Sequence, residues 1–372
     1  MRWDIFCNVI DNYGDIGVCW RLARQLAAEH CIEVRLWVDD LASLQRLCPE
    51  IDPQALLQQH NGIEIRLWAR PFPAVAPAAV VIEAFGCELP ENYLDAMAHA
   101  ASKPVWINLE YLSAEPWVEG CHALPSPHPQ LPLTKHFFFP GFTPATGGLL
   151  RENDLLTRRD SLLQTPERLW HALNLARPTR GQTIASLFSY DTAPISDLLA
   201  AWENSPTPVH CLLPEGKALP QVAAYFGHPV LAPGDILQHG QLTVQVLPFL
   251  RQEDYDLLLW ACDWNFVRGE DSFVRAQWAG KPLLWQIYAQ QEDAHLVKLD
   301  AFLDRYCAGL QPAAADVMRA AHHGWNGASP LNWGELLQFS STLEHHAKAW
   351  AEALAAQPDL ASNLVIFCKN RV

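Results

Sequence analysis

The sequence lacks the short motifs that mark common metal and cofactor sites. Its ten cysteines form no Cys-x-x-Cys pair, and no Cys/His set has the spacing of a zinc site. His345 and His346 do not stand in a His-Glu-x-x-His motif. The Gly-x-Gly-x-x-Gly fingerprint of dinucleotide-binding proteins is also absent. These absences predict a protein with no bound metal and no cofactor.

Positive charge and long apolar runs are also scarce. The chain has 26 Lys and Arg against 41 Asp and Glu, which gives a formal net charge of −15. This balance argues against non-specific nucleic-acid binding and against attraction to anionic membrane surfaces. No apolar run is long enough to span a membrane, and no signal peptide is evident. We therefore expect a cytoplasmic protein whose cysteines are reduced thiols.

The chain does have length and apolar content. Its 372 residues, half of them hydrophobic, are too many for one typical core, so two domains are expected. Predicted strands at 4–7, 32–37, 63–68, 79–85 and 104–108 alternate with helices, which indicates a doubly wound α/β domain. A second α/β series begins at Thr183, after a linker-like stretch at 177–181. The predicted domains are residues 1–178 and 181–349, with a final helix over 350–372.

An acidic loop follows the first predicted strand. Gly14 and Gly17 suit a tight turn from strand to helix, and Asp11 and Asp15 stand four residues apart across it. Ligands of open α/β sheets usually bind at such loops. Two carboxylates repel phosphate and suit a cationic or proton-donating acceptor. The alternative is that Asp15 caps the helix and Asp11 holds the turn.

A second informative stretch is a predicted strand at 264–267 followed by a helix. Asp271 or Ser272 is expected to be the N-cap, and Gly280 is expected to end the helix in a left-handed turn. A helix N-terminus after a strand favours anions, and Arg268 beside it can bind phosphate bidentately. Glu270 suits sugar or ribose hydroxyls. The alternative is an ordinary capped helix whose Arg and Glu form a surface pair.

These elements together predict a nucleotide-diphosphate site in the second domain. Phe249 follows another predicted strand, where its ring can stack on a nucleobase or simply pack in the core. Two Rossmann-like domains facing across a cleft, with such a site in the second, describe the GT-B glycosyltransferase fold. In that fold the last helix often packs back on the first domain.

Several motifs carry a resemblance to a known family. They are Ile10-Asp11-Asn12-Tyr13-Gly14-Asp15-Ile16-Gly17, Leu89-Pro90-Glu91-Asn92, Glu110-Tyr111-Leu112-Ser113-Ala114-Glu115, Gly147-Gly148-Leu149, 268–277 and Gly280-Lys281-Pro282. With these segments the chain resembles the bacterial protein-arginine rhamnosyltransferases (EarP) that modify translation elongation factor P.

The resemblance implies an inverting, metal-independent transfer of L-rhamnose from dTDP-β-L-rhamnose to one arginine of elongation factor P, which supports translation through polyproline stretches. The implied catalytic residues are Asp11, Asp15 and Glu270. The implied donor-binding residues are Tyr13, Gly14, Gly17, Phe188, Tyr190, Phe249, Gln252, Arg268, Asp271, Ser272 and Tyr288.

Chemical reasoning gives these acids distinct roles. A guanidinium is cationic and has no free lone pair for attack, so a carboxylate must align it and take its proton during bond formation. Our hypothesis is that Asp15 is this base and that Asp11 orients the guanidinium. Two alternatives remain at this point. One is a GT-B enzyme with another acceptor, and the other is a nucleotide-sugar-gated binding partner of elongation factor P without catalysis.

Overall fold

The computed structural model describes residues 1–10 and 13–372, with the side chain of residue 291 left out. The chain forms two compact units, each built around its own parallel-rich sheet. The first unit comprises Met1–Asn153 and Ala355–Val372, and the second comprises Asp154–Leu354. Among the described residues, no helix has both the length and the apolar character that crossing a membrane requires.

The first unit contains an eight-stranded sheet in the order β3-β4-β2-β1-β5-β6-β8-β7. Its strands are β1 (Arg2–Cys7), β2 (Glu33–Val38), β3 (Leu57–His60), β4 (Ile63–Leu67), β5 (Val80–Ala84), β6 (Val105–Leu109), β7 (Pro125–Pro127) and β8 (Thr134–Phe138). The six inner strands are parallel, and β3 and β7 pair antiparallel at the two edges. The central strands are almost wholly buried, as expected for a sheet covered on both faces.

Two nearly identical sequence segments form neighbouring strands of this sheet. The predicted strands at 32–37 and 63–68 are β2 and β4, which pair in parallel with Leu36 opposite Ile65. Their alternation of apolar and charged residues is explained by the pleat, which sends successive side chains to opposite faces. The prediction of two similar strands is therefore confirmed.

Helices cover the first sheet. They are α1 (Gly14–His30), α2 (Leu41–Leu47), α3 (Glu91–His99), α4 (Trp117–Cys121) and, from the end of the chain, α15 (Leu360–Lys369). Val18, Leu22 and Leu26 lie on one apolar face of α1, and all three are buried. Helix α15 packs against α1, and the buried Gln25 amide nitrogen donates to Asp359 Oδ1 at 3.0 Å.

The second unit contains a six-stranded sheet in the order β11-β12-β10-β9-β13-β14. Its strands are β9 (Thr183–Leu187), β10 (Val209–Pro214), β11 (Ile236–His239), β12 (Leu242–Leu247), β13 (Trp264–Arg268) and β14 (Leu283–Gln286). All are parallel except β11, which pairs antiparallel with β12 at the edge. The carboxyl ends of β9, β10, β12, β13 and β14 therefore lie at one edge of this sheet.

The helices of the second unit are α5 (Leu155–Leu163), α6 (Pro166–Ala172), α7 (Ile195–Glu203), α8 (Leu219–Tyr225), α9 (Gln252–Ala261), α10 (Asp271–Ala279), α11 (Ala294–Tyr306), α12 (Pro312–Trp325), α13 (Trp333–Gln338) and α14 (Ser340–Ala355). Two 3₁₀ helices, Gln291–Asp293 and Cys307–Gly309, precede and follow α11.

The predicted domain boundary at residue 178 differs from the structure. The chain enters the second unit at Asp154, 24 residues before the predicted boundary at 178, because α5 and α6 both pack against α9. The linker-like composition at 177–181 marks only the connection from α6 to β9. The chain returns to the first unit at Ala355, and α15 completes that unit.

Candidate active site

A buried carboxylate lies at the carboxyl edge of the first sheet. Asp15 is only 2% exposed. The backbone N–H of Ile10 donates to its Oδ2 at 2.8 Å, and the Tyr111 hydroxyl donates to its Oδ1 at 3.1 Å. Helix α1 begins at Gly14 with Tyr13 as its N-cap residue, so Asp15 lies within the first turn, where the helix dipole favours negative charge. The alternative that Asp15 is the N-cap is therefore wrong, and Asp11 lies outside the described residues.

A pocket of about 340 Å³ opens at the same edge of this sheet, where the strands β1, β2, β4 and β5 end. Its lining residues are Asn8, Ile10, Asp39, Trp68, Arg70, Gly86, Cys87 and Glu88. Asp39 accepts from the Val9 backbone N–H at 2.9 Å. The lining carries the two carboxylates of Asp39 and Glu88 and the guanidinium of Arg70, and the carboxylates suit a ligand with hydrogen-bond donors.

The thiols near this pocket are poor nucleophiles. A hydrogen bond with Cys19, together with burial, raises the pKa of Cys7 well above its ordinary value, and the charges of Asp15 and Asp39 add to the effect. Burial also raises the pKa of Cys87. Both thiols are therefore protonated at neutral pH, which leaves carboxylates as the basic groups at this edge.

In the second unit, the guanidinium of a buried arginine lies over two aromatic rings. Arg268 ends β13 and is 7% exposed, and its guanidinium carbon lies 4.6 Å from the ring centroids of both Phe188 and Tyr190. The rings follow β9, the parallel neighbour of β13. Arg268 Nη1 is buried and has no hydrogen-bond partner among the described residues. Such stacking orients the planar guanidinium and leaves its in-plane N–H groups for an anion.

Helix α10 begins at Asp271, separated from Arg268 by the two residues Gly269 and Glu270. The predicted caps are wrong: Glu270 is the N-cap residue, and its side chain makes no capping hydrogen bond. The Ser272 hydroxyl instead accepts from the Arg268 backbone N–H at 3.0 Å and closes the turn that contains Gly269. Gly280 ends the helix in the left-handed region at φ 62°, as predicted. The first-turn N–H groups of a helix and a buried arginine together form an anion site.

Comparison with known proteins decides the family. The family model described as Elongation-Factor P (EF-P) rhamnosyltransferase EarP matches residues 3–369. The chain belongs to this family. It is 50% identical to a protein-arginine rhamnosyltransferase of Pseudomonas putida over 99% of this chain and 98% of that protein. It is 49% identical to the protein of the same name in Pseudomonas aeruginosa, covering 98% of each.

Solved structures agree with this EarP assignment. One solved structure is 38% identical to this chain, with a TM-score of 0.70, and the match covers 100% of this chain and 99% of that one. It is described as the structural basis for EarP-mediated arginine glycosylation of translation elongation factor EF-P. The spinosyn rhamnosyltransferase SpnG is 11% identical with a TM-score of 0.51 over the full length of both chains, a likeness in fold alone. The α/β architecture is the GT-B glycosyltransferase fold, as predicted.

The donor-binding residues that the EarP resemblance implies in the second unit all follow or end strands at one edge of its sheet. Tyr190 donates its backbone N–H to Gln286 Oε1 at 2.7 Å, and its ring packs edge-on against Tyr288, with 5.6 Å between centroids. Gln252 begins α9, and its amide nitrogen donates to Asp271 Oδ2 at 3.3 Å. Phe249 is half-buried in the segment between β12 and α9.

The remaining predicted donor residues lie elsewhere in the fold. Tyr13, Gly14 and Gly17 form the start of α1 in the first unit, where the Gly17 N–H donates to the Tyr13 carbonyl at 2.9 Å. Their structural role is to build the turn that carries Asp15. Their contact with a donor stays a prediction.

Two residues near these sites were missed as individual candidates. Lys217, exposed after β10, places its ammonium 5.6 Å from the ring centroid of Tyr190. A Gly-Lys pair directly after a predicted strand was the available signal. Tyr111 was noticed only within a family motif, and its bond to Asp15 spans 96 residues of sequence.

One group of possible metal ligands lies away from these residues. The ligand atoms of Cys48, Glu50 and His60 lie within 4.8 Å of one another, although their sequence spacing suggested no site. They lie near the end of α2 and at the turn before β4, toward the amino edge of the first sheet. Burial and the hydrogen bond to Glu50 raise the pKa of Cys48 to about 11, so this thiol is protonated at neutral pH.

Proposed function

We propose that this chain transfers L-rhamnose from dTDP-β-L-rhamnose to an arginine side chain of translation elongation factor P, with inversion at the anomeric carbon. The observation that carries the proposal is its identity of about one half, over nearly the full length, to proteins named protein-arginine rhamnosyltransferases. The buried Asp15 and the stacked Arg268 support it, because they suit the two ligands of that reaction.

The second unit is proposed to bind the donor. Arg268 and the N-terminus of α10 would bond the diphosphate, whose negative charge increases as the sugar leaves. Phe249 is proposed to stack on the base, with Gln252, Asp271, Ser272 and Tyr288 around the nucleotide. Glu270, at the α10 N-cap, would bond hydroxyl groups of the rhamnose or the ribose. These cationic and dipolar groups would stabilise the departing diphosphate without a metal.

The first unit is proposed to bind and activate the acceptor. A guanidinium nitrogen attacks the anomeric carbon as the bond from that carbon to the phosphate oxygen breaks. The electron pair of the broken bond leaves with dTDP, and the proton of the attacking nitrogen passes to the Asp15 carboxylate. Asp11 is assigned the orientation of the guanidinium. Attack on the face opposite the diphosphate converts the β-linked sugar to an α-linked product.

The proposed partners are elongation factor P and the nucleotide sugar, with neither nucleic acid nor a membrane in direct contact. The proposed compartment is the cytoplasm. Support for the protein acceptor comes from the solved relative described by its arginine glycosylation of EF-P. The proposed outcome for the acceptor is activation for translation through polyproline stretches.

Intact-mass analysis tests the proposal directly. Elongation factor P is incubated with this protein and dTDP-β-L-rhamnose, and the expected result is a gain of one deoxyhexose that peptide mapping places on an arginine. NMR of the product should show the α-anomer, and a β-anomer would overturn the inverting assignment. A stable complex with no mass change would support the non-catalytic alternative. No gain with dTDP binding retained would indicate another acceptor.

Asp15→Asn tests the base. We expect transfer to fall by roughly 10²–10⁴ while calorimetry shows unchanged dTDP affinity, because loss of a general base removes proton transfer and leaves donor contacts intact. Transfer at the wild-type rate would refute the assigned role.

A further inference from the structure

The loop after β5 holds an aromatic residue in an unfavourable backbone conformation. Phe85 has a φ of 57°, in the left-handed region that non-glycine residues rarely occupy. Its ring stacks on Tyr111 with 4.4 Å between centroids and an angle of 17° between the ring planes. Its backbone N–H donates to the Leu109 carbonyl at 2.7 Å, which joins the ends of β5 and β6. Residues in such conformations cluster at functional sites, where surrounding contacts maintain them against their backbone strain.

The Tyr111 ring, which stacks on Phe85, carries a hydroxyl group that bonds the proposed base, Asp15. Tyr111 follows β6, and its hydroxyl donates to Asp15 Oδ1, while the Ile10 N–H donates to Oδ2. A donor on each of the two oxygens restricts the plane of the carboxylate. The terminal torsion angle of an aspartate side chain otherwise has a broad distribution. A carboxylate without such partners would therefore present its lone pairs in many directions.

We propose that Tyr111, supported by Phe85, is a positioning residue that sets the direction in which Asp15 presents its carboxylate to the acceptor guanidinium. This inference rests on the proposed function, in which Asp15 takes the proton. Proton transfer requires the base within hydrogen-bond reach of the proton, at about 2.6–3.2 Å, so misorientation lowers the rate of the chemical step. Tyr111 touches neither ligand in this role; it acts through Asp15.

Tyr111→Phe removes the hydroxyl and keeps the stacked ring. With donor and elongation factor P saturating, we expect the single-turnover rate to fall by about 10- to 100-fold, since a hydrogen bond to a charged group is removed. The dTDP affinity, the KM for elongation factor P and the thermal midpoint should change little. An unchanged rate in an active protein would overturn the inference and leave the proposed function intact.

A double-mutant cycle separates positioning from general stability. In the Asp15→Asn background the Tyr111→Phe change is expected to have almost no further effect, because the hydroxyl acts through the carboxylate. Full additivity of the two losses would contradict the inference. Tyr225→Phe is the matched control: its hydroxyl also bonds a carboxylate, that of Glu203, but in the second unit, and its rate should equal wild type.

The supporting ring has its own test. Phe85→Leu removes the planar ring that stacks on Tyr111 and should lower the transfer rate several-fold. Phe85→Tyr keeps this stack and should transfer at close to the wild-type rate. A crystal structure of the Tyr111→Phe protein examines the same inference without turnover. The Asp15 carboxylate is expected to rotate away from its present plane, and an unmoved carboxylate would refute the positioning role even if the protein transferred no rhamnose.

Discussion

Arg268 and Lys217 both lie over the ring of Tyr190, with the guanidinium carbon 4.6 Å and the ammonium nitrogen 5.6 Å from its centroid. Arg268 is buried at the end of β13, and Lys217 is exposed after β10. Two cations beside one ring repel each other, and a multiply charged anion between or beside them would relieve that repulsion. The pair therefore suits a diphosphate better than a single carboxylate.

Lys217→Met is expected to weaken dTDP binding about 5-fold, because an exposed ion pair contributes up to ~1 kcal/mol. Thymidine, which has no phosphate, should bind as it does to wild type. Calorimetry with both ligands at two salt concentrations measures the effect, and the salt dependence of dTDP binding should become weaker. Lys281→Met is the matched control, since Lys281 follows α10 and pairs with Glu344 at 3.5 Å. An equal loss for thymidine would exclude a phosphate contact.

A buried ion pair joins α10 to α9. Arg275 donates from Nε and Nη2 to the two carboxylate oxygens of Asp256 at 2.8 and 2.6 Å, and both side chains are buried. Arg275→Met removes both of these charged hydrogen bonds from the buried Asp256 carboxylate, so we expect the free energy of unfolding of the second unit to fall by about 3–5 kcal/mol. Urea unfolding followed by circular dichroism measures the loss.

An exposed ion pair in the same unit serves as the control for the buried pair of Arg275 and Asp256. Arg319→Met breaks the pair with Asp304, whose atoms are 2.9 Å apart at the surface, and should cost less than about 1 kcal/mol. Replacing both buried partners, as Arg275→Met with Asp256→Leu, should recover much of the loss. If the single Arg275→Met change leaves the urea midpoint unchanged, the pair does not hold the two helices together.

His322 makes the second unit sensitive to acid. Burial lowers its pKa from 6.5 to about 4, although the bond between Nδ1 and the Met318 carbonyl partly opposes this. Between these values the unfolded chain binds more protons, so stability is fully present above about pH 6.5 and falls as the pH drops to 4. The complete loss is about 3 kcal/mol. His322→Leu should reduce the difference between urea midpoints at pH 7 and 4.5, and an unchanged difference would contradict the assignment.

Local patterns were sufficient to predict most elements of both sheets. The strand predicted before Phe249 is β12, and the strand, helix and left-handed glycine around α10 are confirmed. The predicted caps failed because the Ser272 hydroxyl bonds back to the Arg268 backbone, a choice between two nearby partners that sequence spacing does not distinguish. The predicted position of the domain boundary was wrong for another reason. The apolar faces of α5 and α6 indicate helices, but they do not show which of the two hydrophobic cores these helices cover.

The two candidate sites differed in how well the sequence could predict them. Phe188, Tyr190 and Arg268 all end or follow parallel strands, and such ends share one edge of a sheet. The closeness of these three side chains can therefore be predicted once β9 and β13 are known to be neighbouring parallel strands. The bond from Tyr111 to Asp15 depends on the stack with Phe85 and on loop geometry. No periodicity in the chain contains that information.

The packing of α15 against α1 has a consequence for biosynthesis. Residues 1–153 are synthesised before 355–372, although both segments belong to the first unit. The hydrogen bond from the buried Gln25 to Asp359 can therefore form only after the second unit has been synthesised. The second unit is continuous in sequence and is synthesised completely before the segment that carries α15. The helix that carries Asp15 therefore gains α15 as a neighbour only after the whole second unit has been synthesised.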